Sequence, residues 1–212
     1  MQRLLLVLLL VGCGLPRDPQ KTLERVRGKV LTVGVAEDPP FLVRQGQEAS
    51  GIEAEAIRGF ANSLNASVKW VWGAPEKQLA ALEKCELDLV AGGIDAKTPW
   101  AKKVAVTRPY LEVIDVVACK RGAPAPGTLE HEEVAVEEGD PVAAEVEKEK
   151  ANVHRVEHID GSQPLVAGSK TKLLPLGYTA FKELKREKRS LAAPPGENAF
   201  LQALEKYLAG GK

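Results

Sequence analysis

The sequence predicts an α/β protein built on a largely parallel sheet. Three observations carry this. Val30–Val35, Val68–Trp72 and Leu87–Ala91 are short apolar or β-branched runs bounded by turn formers, which read as strands. Helical patterns lie between them: Ile57, Phe60, Ala61 and Leu64 recur at i, i+3, i+4 and i+7, and Pro75 opens a second helix that turns Leu79 and Leu82 inward. Strand and helix alternating at this spacing imply βαβ units.

The elements follow in chain order. Met1-Gln2-Arg3 is positive, Leu4–Leu10 is apolar and Leu10-Val-Gly-Cys13 closes the run, so residues 1–12 read as a secretory signal rather than a fold element. The run is shorter than the ~20 residues a spanning helix needs. Gly14 to Arg27 is polar, with two prolines, and reads as a tether leading into a short helix. Asp38-Pro-Pro-Phe41 follows the first strand as a stiff loop, because each proline fixes φ. Gly46–Gly51 reads as a turn, Ile52–Leu64 as a helix, and Gly92-Gly93 as the end of the third strand. Glu112–Lys120 is extended and apolar, and residues 122–127, rich in Gly, Ala and Pro, are a break. Val134–Val136 and Val153–Ile159 read as strands flanking a charged helix from Gly139 to about Lys150. Leu165–Glu187 is irregular, with a helix expected around Phe181, before a returning strand at Leu191–Pro194. Asn198 is a suitable N-cap for a last helix carrying Phe200, Leu201, Leu204 and Leu208.

Composition narrows the function. Lys plus Arg number 29 and Asp plus Glu 29, so the formal net charge is zero. No basic block alternates with aromatics, which argues against nucleic acid. Cys85 and Cys119 read as two separate thiols, and His131, His154 and His158 stand among charged residues with no metal-ligand spacing. No metal or cofactor is expected. No nucleophile, base and orienting acid recur in the pattern catalysis needs, so the chain reads as a binding protein rather than an enzyme.

Several motifs stand in one order: Pro40-Phe41, then Gly51-Ile-Glu-Ala-Glu55, Ala81-Leu-Glu-Lys-Cys-Glu-Leu-Asp88, Gly93-Ile-Asp95, Thr98-Pro-Trp100 and Val106-Thr-Arg-Pro-Tyr110. This order resembles solute-binding family 3, the polar amino acid receptors among the extracytoplasmic solute-binding proteins of ABC importers. Leu-Val-Gly-Cys13 similarly matches a bacterial lipobox, which implies acylation of Cys13 and a lipid-anchored, extracytoplasmic protein held at a membrane. The resemblance implies a type II periplasmic-binding-protein-like fold, two βα lobes joined by two extended hinge strands, with a small solute held between lobes that close over it. Mapped here, residues 13–28 are the lipidated tether, 29–112 with 189–212 form lobe one, 113–121 a hinge strand, and 122–188 a compact lobe two. The implied partners are a small-molecule solute, an ABC permease and, through Cys13, membrane lipid; the protein is expected to be a monomer.

The resemblance also places the ligand shell on Asp38, Phe41, Gly92, Gly93, Asp95, Thr98 and Trp100, with Gly139 and Asp140 in lobe two. The family's arginine that grips an α-carboxylate falls on Trp100, which carries no charge. Asp38, Asp95 and Asp140 stand where aromatic or hydroxyl groups are expected. Three acids and an indole suit a cationic or polyhydroxylated solute without an essential carboxylate. Three of these residues also have a plainer reading: Asp38 holding a turn, Asp140 capping a helix, Trp100 packing in the core. Two other functions stay open, a ligand-sensing or scaffold lipoprotein and a dehydratase-like enzyme.

Overall fold

A computed structural model describes residues 18–95 and 97–210. In chain order its elements are α1 (Thr22–Val26), β1 (Val30–Val35), β2 (Val43–Gln45), β3 (Glu48–Ser50), α2 (Ile52–Ser63), β4 (Ser67–Trp72), α3 (Pro75–Glu83) and β5 (Leu89–Asp95). A 3₁₀ turn at Pro99–Lys102 leads to β6 (Ala105–Val106), β7 (Leu111–Lys120), β8 (Glu133–Glu137), α4 (Val142–Lys148), β9 (Asn152–Val156) and β10 (Leu165–Ser169). Then come α5 (Lys170–Leu173), a second 3₁₀ turn (Leu174–Leu176), β11 (Tyr178–Ala193) and α6 (Asn198–Gly210). The signal peptide and Cys13 lie outside the described residues.

The chain forms two units. The first holds the described residues up to Arg108 and from Ser190 on; the second is Pro109–Arg189. In the first, β1 pairs in parallel with β4 (Val30↔Ser67 to Val35↔Trp72) and with β5 (Val33↔Leu89 to Val35↔Ala91). The order is therefore β4-β1-β5, with the end of β11 beside β5. Leu31, Val33, Ile57, Phe60, Leu82 and Leu89 are buried, and Phe60 meets Phe200 of α6 edge-on at 5.6 Å. Short α1, placed in the tether by sequence, belongs to this unit: Arg25 pairs with Asp88 at 2.5 Å, and Asp88 also accepts from Thr32 N–H at 2.8 Å.

In the second unit β7 lies between β10 and β11, antiparallel to both. Beyond β10, β8 pairs in parallel with β10 and β9. One face of this sheet packs Val117, Val134, Val136 and Ala167 against Val142 and Val146 of α4. The other packs Val116, Ala118, Ala135 and Val166 against Leu173 and Tyr178. The expected hinge segment 113–121 thus falls largely within β7, paired on both sides.

Several expectations are corrected. The helix expected around Phe181 is strand β11, whose two bulges against β7 fall at Phe181 and Leu184. Strand β5 runs on through Gly92 and Gly93 to Asp95. The turn at 46–51 belongs to the β2–β3 hairpin, and the strand begun at Val153 stops at Val156. Cys85, which replaces the glycine of the family pattern, has φ +59°, the left-handed conformation a glycine would take there. Cys85 and Cys119 are free thiols, and the three histidines are exposed. Among the described residues no helix is long and apolar enough to cross a membrane.

Candidate ligand-binding site

In open α/β sheets ligands bind beyond the carboxyl ends of the strands, where successive connections leave in opposite directions. The order β4-β1-β5 puts that point between β1 and β5 in the first unit. Chain geometry brings five of the sequence-predicted residues there or just beyond: Asp38 and Phe41 after β1, Gly92, Gly93 and Asp95 at the end of β5.

Asp38 does hold a turn. Its N–H donates to Leu42 O at 2.8 Å, and its carbonyl accepts from Phe41 and Leu42 N–H, both at 2.9 Å. Its carboxylate also reaches across the switch point, so that a Cβ on Gly93 would lie 3.1 Å from Asp38 Oδ2. Gly93 is exposed with φ +70°, while Gly92 is buried with φ +106° and would put a Cβ 2.4 Å from Ala36 O. Only glycine fits at position 92. Phe41 is half-buried, and its carbonyl accepts from Glu53 N–H at 3.1 Å.

Asp95 and Thr98 shape the following loop. Asp95 Oδ1 accepts from Lys97 N–H at 2.6 Å, and Thr98 Oγ1 accepts from Trp100 N–H at 3.4 Å. Trp100 itself packs beside Leu79, Leu82 and Val104. Lys103 Nζ stands 5.1 Å from its ring centroid and pairs with Glu83 at 3.3 Å. The half-buried indole thus packs against the core and has a cation beside its ring.

The second unit repeats the arrangement. Its order β10-β8-β9 places the switch point between β8 and β10. Gly139 (φ +77°) and Asp140 follow β8, and a Cβ on Gly168 of β10 would lie 3.9 Å from Asp140 Oδ2. Asp140 Oδ1 accepts from Val142 N–H at 2.9 Å and so also caps α4. In each unit an aspartate three residues past a strand, β1 or β8, stands near a glycine of the strand across the switch point, β5 or β10.

Sequence reasoning missed two acids. Half-buried Asp115 pairs in register with Ser169 and Lys185. Burial first, then Asp140 and Glu187, push its pKa up to about 6, against the pull of Lys185 and Arg189. The available signal was an acid inside the apolar run Val113-Ile-Asp-Val-Val117. Glu53, in the first turn of α2, is fully buried, and its Oε2 accepts from Gly92 N–H at 3.1 Å. Among the described residues no group of three or more His, Cys, Asp or Glu could hold a metal.

The chain is similar to several known proteins. The membrane-bound lytic murein transglycosylase F of Shewanella pealeana is 29% identical over 136 residues, 61% of this chain and 28% of that protein. Its namesake in Vibrio cholerae serotype O1 is 30% identical over 123 residues, 56% of this chain and 23% of that protein. The chain spans about a quarter of the length of the curated relatives it matches. Among solved structures, an arginine-bound truncated ArgBP from T. maritima superposes with TM-score 0.53 at 20% identity, covering 91% of this chain and all of that one. An ancestral cationic amino acid solute-binding protein gives 0.62 at 18% identity, covering 90% and 91%. The periplasmic domain of BvgS from B. pertussis gives 0.60 at 20% identity, covering 97% of this chain and 46% of that one. These likenesses establish the type II periplasmic-binding-protein fold. The family model for bacterial extracellular solute-binding proteins, family 3, matches residues 31–210, and the chain belongs to that family.

Proposed function

We propose that the protein captures a small cationic solute outside the cytoplasm and delivers it to an ABC permease, tethered to the membrane through acylated Cys13. It acts as a monomeric receptor and returns its ligand unchanged. Solute capture by lobe closure, which the family resemblance implies, is part of this reading. The observation that supports it most is the Asp38 carboxylate set against Gly93 at the switch point, beside a strand end that only glycine can form. An anionic group there, with Asp95 on the same strand end, favours an amine or guanidinium over a carboxylate. Two structural neighbours, an arginine-bound ArgBP and an ancestral cationic amino acid solute-binding protein, point the same way.

The test is thermal unfolding of the purified chain against L-arginine, agmatine, putrescine and L-glutamate. A ligand at ~100 times its Kd should stabilise the chain by about 2.7 kcal/mol. Arginine and agmatine are expected to shift the midpoint, with the shift reduced in Asp38→Asn. A shift with glutamate alone overturns the cationic reading. Agmatine acting as well as arginine shows that the carboxylate is dispensable.

A second reading rests on the murein transglycosylase relatives: the solute is a fragment of murein. A midpoint shift with muramyl peptides and none with arginine or agmatine selects it.

A further inference from the structure

Glu53 is an acid in the first unit's core with no role in the reading above. It is fully buried. Seating a carboxyl group in a core costs stability unless its oxygens are satisfied, and an apolar side chain would fill the same space more cheaply. What distinguishes Glu53 is the pair of segments it joins. Its backbone N–H donates to Phe41 O at 3.1 Å, which ties the first turn of α2 to the Asp38–Leu42 loop. Its side-chain Oε2 accepts from Gly92 N–H at 3.1 Å, which ties the same turn to the end of β5. These are the two segments whose approach sets the Asp38 carboxylate over Gly93. Gly92 sits at φ +106°, in a conformation with little intrinsic preference to hold itself, so an external acceptor for its N–H fixes the local path of the strand.

We propose that Glu53 is the positioning residue of the ligand site, holding the loop after β1 and the glycine end of β5 in the one relation that presents Asp38 to a solute. This rests on the solute-binding reading for the nature of the ligand, but not for the positioning itself. Glu53 touches no solute; its side chain acts through the Gly92 amide, while its backbone N–H, which the substitutions below leave in place, anchors the same turn to the Phe41 carbonyl.

The experiment compares Glu53→Gln, which keeps an acceptor oxygen, with Glu53→Met, which fills the space and accepts nothing. Two readouts are taken on the full chain: hydrogen exchange of individual amides, and Kd for L-arginine and agmatine. Losing a buried hydrogen bond of this kind corresponds to roughly 10- to 100-fold. In Glu53→Met, Gly92 and Gly93 amides are expected to exchange that much faster while amides of β1 and β4 keep their protection. Kd is expected to rise at least about tenfold, and Glu53→Gln is expected to restore both readouts to within about threefold of wild type. If Glu53→Met does not fold, Glu53→Asp, shorter by one methylene, takes its place with the same readouts. Unchanged exchange at Gly92, or a uniform loss of protection through the whole unit, overturns the proposal, as does wild-type affinity in Glu53→Met. A wild-type chain that binds neither cation defeats the cationic-solute reading, while the exchange arm still decides whether Glu53 positions the strand end.

Discussion

At the scale of single residues, two positions carry consequences that their chemistry alone fixes. Gly93 is held at φ +70° with its Cα facing Asp38. A Gly93→Ala chain must place an L side chain in the left-handed region, at about 1–2 kcal/mol, and push Asp38 Oδ2 away from a Cβ 3.1 Å distant. The expected outcome is a midpoint lowered accordingly and a weaker response to cationic solutes, read in the same unfolding assay; unchanged stability and binding would remove Gly93 from the site. Asp115 makes a pH-dependent statement. Its folded pKa, raised to about 6, exceeds the unfolded value, so the folded chain binds more protons between roughly pH 4 and 6. Its contribution to stability therefore falls as pH rises through that window. Asp115→Asn should match wild type near pH 4 and exceed it at pH 7. Asp115 is only half-buried, so the gain is discounted for solvent screening to about 1 kcal/mol. Urea unfolding of both chains at the two pH values checks it, and equal stability at pH 7 would contradict it.

At the scale of elements, what could be read from sequence was whatever depends on near neighbours. Strand β1 and helix α2 are legible because β-branched content and a 3.6-residue period are local signals, and both stand within a residue or so of where the pattern puts them. Strand β11 was illegible for a reason its register makes plain. Phe181 and Leu184 are three apart, as on one helix face, and the segment between Lys182 and Arg189 is heavily charged. In the structure both residues occupy bulges, each adding one residue to β11 against β7. The bulges turn both side chains toward the core beside Val117 and Val134, so a spacing of three serves a strand. Only the partner strand, about sixty residues away in sequence, shows this. The same limit hid Gly92 and Gly93 inside β5, where a turn signal masks a strand end bent around Ala36. Phe181→Ala should cost about 2 kcal/mol, less than a fully buried aromatic would, whereas exposed Lys188→Ala should stay within about 0.5 kcal/mol. Equal effects of the two substitutions in denaturant unfolding would mean that the bulge does not aim Phe181 into the core.

At the scale of the molecule, the two units differ in how the chain builds them, and this sets how they should come apart. The second is one continuous segment, Pro109–Arg189; the first is assembled from both ends of the described chain. Its closure rests partly on Glu197, a fully buried acid just before α6. Glu197 Oε1 accepts from Gln20 N–H at 2.8 Å and Oε2 from Thr22 N–H at 2.9 Å, the shorter of the two bonds Thr22 N–H makes, so the start of α6 supplies acceptors to the entry of α1. No sequence pattern announces a cap supplied by a residue 175 positions away. Removing it leaves exposed Gln20 N–H to water and buried Thr22 N–H with only its longer bond to Asp18 Oδ1 at 3.3 Å, and losing a buried hydrogen bond to a charged group costs about 1–2 kcal/mol. Glu197→Ala is therefore expected to destabilise the first unit by about 1–2 kcal/mol, and Glu197→Gln, which keeps one acceptor oxygen, by less. Because the loss falls on long-range closure of one unit, amides in β1, β4 and α6 should lose hydrogen-exchange protection while those of β8, β9 and β10 keep theirs. A loss shared equally by both units would show that they unfold as a single cooperative body, and that the first unit's stability is not set by the clamp between its chain ends.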